Sequence, residues 1–323
     1  MPSAIRIHRN GGPEVLQWEE VSVGDPGPNE ARVRHHSIGL NYIDVYFRSG
    51  LYPVSFPVGL GMEAAGIVDA VGAGVTNVKP GDRVAYASPP NGAYSELRNM
   101  PADRLVNLPE GVSFEQAAAV LLKGLTVQYL IKRTYKVQRG DTVLVHAAAG
   151  GVGLIACQWL NAIGATVIGT AGSDEKAALA RAHGCHHAIN YKRENFADRV
   201  KEITGGAGVP VVYDSVGKDT FQGSLDCLRA FGMLVCFGNS SGPVPPIDIA
   251  KACRGSLYLT RPSIMVYMAK REDLIAGAKD LFDVMLCGSV KIEVNQRYPL
   301  SDAAQAHRDL EARKTTGSTI LVP

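Results

Sequence analysis

Short alternating or apolar runs, punctuated by glycine, proline and asparagine, fill about the first 120 residues. Runs at 31–34, 64–71, 83–87 and 93–97 predict a twisted antiparallel sheet or barrel. Between them, Pro26-Gly27-Pro28-Asn29 and Lys79-Pro80-Gly81-Asp82 supply turn formers where the chain must reverse. From Phe114 the pattern changes. Ser113 precedes Glu115-Gln116 as a helix start, and the apolar run 117–122 continues through Leu125, Val127 and Leu130, predicting a helix over 114–133. Strands are then predicted at 142–146, 166–170, 188–190, 209–213 and 232–237, alternating with helices at 152–163, 176–183, 196–203 and 220–228. Regular alternation of this kind is the mark of a parallel sheet covered by helices on both faces, here a doubly wound domain over 123–262. Beyond Pro262 the pattern gives a helix at 271–286, a strand at 291–294, a helix at 301–313 and a last strand at 318–321. So short a tail is expected to return and complete the N-terminal domain.

Composition narrows the class. A chain of 323 residues is expected to hold two domains, and 46% hydrophobic against 20% charged residues provides ordinary cores. The formal charge of +2, from 33 basic and 31 acidic residues, makes no field that would gather nucleic acid or an anionic membrane. Cys157, Cys185, Cys227, Cys236, Cys253 and Cys287 lie far apart without a C-x-x-C pair, which fits neither a disulfide framework nor a zinc knuckle. The N-terminus lacks a charged segment followed by an apolar one, so a cytoplasmic protein is expected. The sparsely charged stretch 142–173 is glycine-rich and divides into strand, turn, helix and strand, a poor membrane span.

Within that stretch, the strand at 142–146 leads into Ala147-Ala148-Ala149-Gly150-Gly151-Val152-Gly153 and an apolar helix. Against G-x-G-x-x-G the first glycine is Ala148, and the others are Gly150 and Gly153. Gly150 would admit a pyrophosphate to the backbone, Gly153 would let helix and strand pack closely, and the helix N-terminus would attract the anion. Strand, turn, helix and next strand all stand in place, which favours dinucleotide binding over a purely structural turn. An NAD site usually ends its second strand on Asp or Glu, but here 167–171 runs into Gly172-Ser173-Asp174-Glu175-Lys176. A small residue, a hydroxyl and an ammonium suit a 2′-phosphate, with Tyr191 and Lys192 as further candidates. The alternative is that Ser173 only caps a helix and Lys176 is solvated; Asp174 and Glu175 also count against phosphate.

With that order of elements the chain resembles the medium-chain dehydrogenase/reductases, and within them the zinc-free NADPH:quinone oxidoreductases of the zeta-crystallin type, most closely their bacterial branch. The matching strings are Gly39-Leu40-Asn41-Tyr42-Ile43-Asp44, Arg48-Ser49-Gly50-Leu51-Tyr52-Pro53, Gly61-Met62-Glu63-Ala64-Ala65-Gly66 and Leu122-Lys123-Gly124-Leu125-Thr126. Further matches are 147–153, Tyr213-Asp214-Ser215-Val216-Gly217, Phe237-Gly238-Asn239-Ser240-Ser241 and Thr260-Arg261-Pro262-Ser263, so that nearly the whole chain is covered. The resemblance implies an α/β protein: a Rossmann doubly wound parallel sheet at 123–262 that binds NADPH, plus a GroES-like, β-rich barrel catalytic domain from 1–122 and 263–323. It also implies a cofactor and quinone held in the cleft between domains, and a homodimer formed through an edge strand, with 232–237 and 256–260 as candidates.

In zinc-dependent relatives the catalytic cysteine would fall at Asn41 and the histidine at Met62; Asn and Met make no credible ligand pair, so no metal is expected. His35-His36, His186-His187 and His146 are given structural or surface roles. Reducing a quinone needs no activated water or covalent nucleophile, so orientation of the nicotinamide would dominate. The resemblance implies that Asn41, Tyr42, Ile43, Asp44 and Tyr46 lie along the nicotinamide, that Tyr52 faces the acceptor, and that Thr126 and Tyr129 sit across from them. Asn41, Asp44, Tyr46 and Tyr52 are its candidate catalytic residues. Gly150, Gly151 and Val152 would contact the pyrophosphate, and Gly172, Ser173, Lys176 and Tyr191 the adenosine end. Ser215, Phe237, Gly238, Asn239, Ser240, Ser241, Ser263 and Arg313 would complete the cradle. From the residues alone, Tyr42, Tyr46 and Tyr52 serve equally as packing beneath a loop. Two other functions stay open: NADPH-dependent reduction of α,β-unsaturated carbonyls, and a non-enzymatic NADPH-binding protein with a structural or RNA-binding role.

Overall fold

The computed structural model describes residues 1–323. The chain forms two compact units: Met1–Leu125 with Met268–Leu286 and Ile292–Pro323, and Thr126–Tyr267 with Cys287–Lys291.

The first unit opens with β1 (Ser3–Ile7), β2 (Gln17–Glu20), β3 (Glu30–Gly39), α1 (Tyr42–Ser49), β4 (Val58–Gly59) and β5 (Glu63–Val71). It continues through β6 (Arg83–Ala87), β7 (Leu97–Pro101), β8 (Val106–Asn107) and α2 (Phe114–Tyr129), a helix whose start is fixed by reciprocal bonds between Ser113 and Gln116. Its later part supplies α9 (Arg271–Leu286), β15 (Val294–Pro299), α10 (Ala303–Glu311) and β16 (Ser318–Val322). A three-stranded sheet runs β2-β1-β4, and a seven-stranded one β15-β16-β3-β5-β6-β8 with β7 on β3. Ile5, Val33, Ile38, Leu60, Val84, Tyr86, Tyr94 and Leu321 fill the core between them. The returning tail therefore adds β15 and β16 to the main sheet, β16 lying antiparallel to β3.

The second unit holds β9 (Thr142–Val145), α3 (Gly151–Ile163), β10 (Thr166–Ala171), α4 (Asp174–Ala182), β11 (His187–Asn190), α5 (Phe196–Ile203), β12 (Val209–Asp214), α6 (Phe221–Asp226) and β13 (Leu228–Cys236). It closes with α7 (Ile249–Ala252), β14 (Tyr258–Thr260) and α8 (Ile264–Tyr267). The strands form one parallel sheet in the order β11-β10-β9-β12-β13-β14. β12 is buried at every position, as a central parallel strand covered on both faces must be. Its register to β13 shifts between Val209 and Val211, where Pro210 has no N–H to give.

Several boundaries differ from the sequence pattern. The run 93–97 is not a strand; pairing with β3 begins at Leu97, after a turn that carries the cis Pro89-Pro90 bond. The strand expected at 291–294 lies at Val294–Pro299, because pairing to β16 outweighs the local apolar signal of the earlier residues. The helix expected over 114–133 is α-helical to Tyr129 and finishes as a π-turn over Leu130–Thr134. No helix was expected at 42–49, yet α1 forms there.

β3 and β5 approach closely between two register irregularities, and Gly66 sits opposite His35 at that point. A Cβ on Gly66 would lie 1.9 Å from the Arg34 carbonyl oxygen. Gly66→Ala should therefore lower the unfolding free energy by about 2–3 kcal/mol, read as an earlier urea midpoint in circular dichroism.

Candidate functional site

In the second unit, nearly all the expected cofactor residues follow the carboxyl ends of the parallel strands, where doubly wound sheets bind ligands. β9 leads into Ala147, whose φ of +53° turns the chain, and then into Gly150, the N-cap of α3. A Cβ on Gly153 would meet the Ala147 carbonyl oxygen at 2.3 Å, so only glycine lets α3 start against the turn. Ala148 replaces the first fingerprint glycine because the close approach has moved to β10: a Cβ on Gly169 would stand 2.6 Å from the Ala148 methyl. The first turn of α3 presents the amides of Gly151, Val152 and Gly153, which a helix cannot satisfy internally. That cradle fits a pyrophosphate.

At the end of β10, Gly172 lies beneath Tyr191, whose hydroxyl would be 2.6 Å from a Cβ on Gly172. Ser173 caps α4 by accepting the Lys176 amide at 3.3 Å. Asp174 is held by Asn190 at 2.8 Å and by Arg193 at 2.6 Å. After β12, the buried Asp214 carboxylate accepts the amides of Val216 and Gly217 at 2.8 and 3.0 Å and fixes the turn that bears Ser215. Ser224 and Thr220 donate to the same carboxylate, and His146 joins Ser224 to Thr170, each at 2.9 Å. Burial pulls the His146 pKa down, so this histidine is a neutral strut, as the sequence pattern indicated. Gly238 packs on Ser215, and Ser240 and Ser241 bond to the carbonyls of Ser215 and Val216 at 3.3 and 2.9 Å, joining the turns after β12 and β13. Arg261 reaches the Cys236 carbonyl at 3.2 Å and lies 2.9 Å from the Asn239 side-chain amide. Ser263 accepts the amides of Val266 and Tyr267. Thr126 and Tyr129 are buried on α2, with Tyr129 stacked on Tyr267 at 4.4 Å.

In the first unit, Asn41, Tyr42, Ile43, Asp44 and Tyr46 are gathered on α1. Asn41 is its N-cap, and Asp44 reaches back to the Asn41 amide at 2.9 Å. Tyr42, Tyr46 and Tyr52 form a chain of tilted and edge-on rings with centroids 5.4–5.5 Å apart. Arg313, with φ +58°, ends α10, close enough to influence Tyr42 electrostatically.

Two residues that matter most here were quoted only within matching strings. Glu63 is fully buried; its carboxylate accepts the Asn41 side-chain amide at 2.7 Å and the Leu122 backbone amide at 2.6 Å, and pairs with Lys123 at 3.5 Å. The available signal was a carboxylate alone in the small apolar strand after Met62 and an ammonium alone in the apolar run 117–125. Asp44 takes the Tyr94 hydroxyl at 2.9 Å, Tyr94 meets His307 at 3.1 Å, and His307 meets Arg48 at 2.9 Å, all buried. Arg48 goes on to Glu311 at 2.8 Å, so α1 and α10 are joined by a continuous polar chain. His307 was not anticipated, since burial of a helical histidine is decided by its tertiary partners. Met62 is buried and the Asn41 amide is committed to Glu63; no group of three or more His, Cys, Asp or Glu side chains could hold a metal ion.

Burial raises the Glu63 pKa, opposed by Lys123, and holds Asp44 at about 7 despite the Asn41 and Tyr94 hydrogen bonds. His307 is pushed down to about 3 by burial and then by Arg48. Because the folded state retains a proton on Asp44 that the unfolded chain releases, this group's stabilisation is complete below its ordinary pKa of 3.8 and is lost as pH rises through about 7. Relative to wild type, Asp44→Asn should therefore gain about 1.4 kcal/mol of unfolding free energy per pH unit across that window, measured by urea unfolding at successive pH values.

Residues 151–281 match a family model described as zinc-binding dehydrogenase, and 27–110 one described as alcohol dehydrogenase GroES-like domain. The chain is 55% identical over 325 residues to the quinone oxidoreductase of Pseudomonas aeruginosa, with 100% of both covered. Its structure matches the crystal structure of Escherichia coli quinone oxidoreductase complexed with NADPH at a TM-score of 0.98 and 52% identity, covering 99% of this chain and 100% of that one. The 2-haloacrylate reductase of a Burkholderia species is 47% identical over 331 residues, covering 100% of this chain and 99% of the relative. Although one family description names zinc, the two positions expected for catalytic zinc ligands hold Asn41 and Met62. With the parallel sheet, the glycine turn and these end-to-end matches together, the chain belongs to the quinone oxidoreductase family of the medium-chain dehydrogenase/reductases.

Proposed function

We propose that the chain is an NADPH-dependent quinone oxidoreductase acting on a small-molecule quinone. The end-to-end likeness to relatives named quinone oxidoreductase carries this reading. When bound, NADPH supplies the hydride, and a proton completes the hydroquinone. The amides of Gly151 and Val152 and the backbone at Gly150 hold the pyrophosphate. Gly172, Ser173, Lys176 and Tyr191 hold the adenosine 2′-phosphate, and Ser215, Phe237, Gly238, Asn239, Ser240, Ser241 and Ser263 shape the rest of the cofactor site. Asn41, Tyr42, Ile43, Asp44 and Tyr46 are assigned to the nicotinamide and Tyr52 to the acceptor, while Thr126, Tyr129 and Arg313 are assigned to further cofactor contacts. Glu63 fixes the Asn41 amide in one orientation, so positioning is set before the cofactor arrives. Burial holds the Asp44 pKa at about 7, which makes it a candidate acid near physiological pH.

The match to 2-haloacrylate reductase supports a second reading, reduction of an electron-poor carbon–carbon double bond. NADPH oxidation at 340 nm with benzoquinone or naphthoquinone, beside an enone, a haloacrylate and NADH controls, separates them. Quinone turnover preferring NADPH is expected. Turnover confined to the unsaturated acids or enones reverses the order of the two readings.

No helix is long and apolar enough to cross a membrane. None of the six cysteines is in a disulfide, which supports a reducing, cytoplasmic location. β14 ends the parallel sheet, with Tyr258 on it and Phe231 on neighbouring β13 exposed, and this edge supports a homodimer. Sedimentation at micromolar concentration should show twice the chain mass for wild type and a shift toward monomer for Tyr258→Pro.

A further inference from the structure

Asp174 stands in the first turn of α4, beside the residues assigned above to a 2′-phosphate. A carboxylate there should repel a group that carries about two negative charges. The structure gives it a different task. One oxygen accepts the side-chain amide of Asn190 at 2.8 Å, and the other pairs with Arg193 at 2.6 Å. Asn190, the last residue of β11, is buried, and its own side-chain oxygen accepts the Lys192 amide at 3.1 Å. Its carbonyl takes the amides of Arg193 and Glu194, while the Tyr191 amide bonds to Ala171 at the end of β10. The turn 191–193 is thus fastened to the turn 172–174 through backbone, side chain and charge. The fastening sets the Tyr191 hydroxyl over Gly172 and Arg193 against Asp174, with Lys192 between them in the same turn.

We propose that Asp174 is a positioning residue for coenzyme specificity. Acting through Asn190 and Arg193, it arranges Tyr191, Lys192 and Arg193 around the 2′-phosphate of NADPH, and its charge is spent on Arg193 instead of opposing the phosphate. The inference rests on the reading that residues 172–176 hold that phosphate. The ion pair is exposed and contributes little to stability, so its removal should leave the fold intact.

Two substitutions separate latch from charge. Asparagine at this position still accepts from Asn190 but cannot pair with Arg193 as an anion; alanine does neither. Affinities for NADPH, NADH, 2′,5′-ADP and 5′-AMP are measured by titration calorimetry on wild type, Asp174→Asn, Asp174→Ala and Lys176→Ala, with near-ultraviolet circular dichroism as a check on folding. Asp174→Ala should weaken NADPH and 2′,5′-ADP about tenfold while NADH and 5′-AMP stay within about twofold, and Asp174→Asn should lose about threefold or less. Equal tightening of NADPH in both Asp174 variants would show simple repulsion and overturn the proposal, as would equal weakening of NADPH and NADH in Asp174→Ala. If wild type binds 2′,5′-ADP no better than 5′-AMP, or Lys176→Ala leaves that preference intact, the underlying phosphate reading fails and the proposal falls with it.

Discussion

Glu63 is a carboxylate with no exposure to water, and such a charge is tolerated only where donors surround it. Its three donors come from two places in the chain: the Asn41 side chain at the start of α1, and the Leu122 amide and neighbouring Lys123 ammonium of α2. Satisfying it therefore fixes β5, α1 and α2 against one another. Gly39 must lack a side chain for the same reason, since a Cβ there would stand 2.2 Å from a Glu63 oxygen. Removing either charged partner would leave the other buried and uncompensated, which makes this pair an architectural constraint whatever its net energy.

From that anchor the polar chain continues along α1 through Asp44, Tyr94, His307 and Arg48 to Glu311. His307 accepts from the permanently charged Arg48 at Nδ1, so its Nε2 carries the hydrogen and donates to Tyr94, whose hydroxyl hydrogen goes to Asp44. From Arg48 donation runs one way through His307 and Tyr94 to Asp44, and the other way to Glu311. Asp44 receives two donors on one oxygen and has none on the other, which is the arrangement expected of a group poised between its acid and its anion. The second unit solves a different problem, presenting backbone amides and small residues at the ends of parallel strands. Its buried carboxylate, Asp214, plays a part there comparable to that of Glu63, holding a turn in place.

The parallel sheet was legible because strands buried on both faces read as apolar runs separated by helical periods. The turn at 147–153 was legible despite its missing glycine, since Gly150 and Gly153 retain the positions that need them. α1 was missed although its eight residues carry a helical period, and its clearest mark was the Asn41 and Asp44 spacing of a capping box. β15 was misplaced because its polar residues half-face water, and only pairing with β16 reveals them as a strand. Glu63, Lys123 and His307 escaped for one reason. Their importance lies in distant partners, 60 positions apart for Glu63 and Lys123 and 259 for His307 and Arg48, which no local pattern encodes.

On the proposed function, bound NADPH, oriented by the main chain and by buried polar groups, suffices for the reaction with no metal beside Asn41 and Met62. The most direct test is quinone-dependent NADPH oxidation after exhaustive dialysis against a strong chelator, with metal content measured on the same sample. Undiminished turnover at a metal content far below one ion per chain is the predicted result. Loss of turnover on chelation, restored by adding zinc, would contradict it.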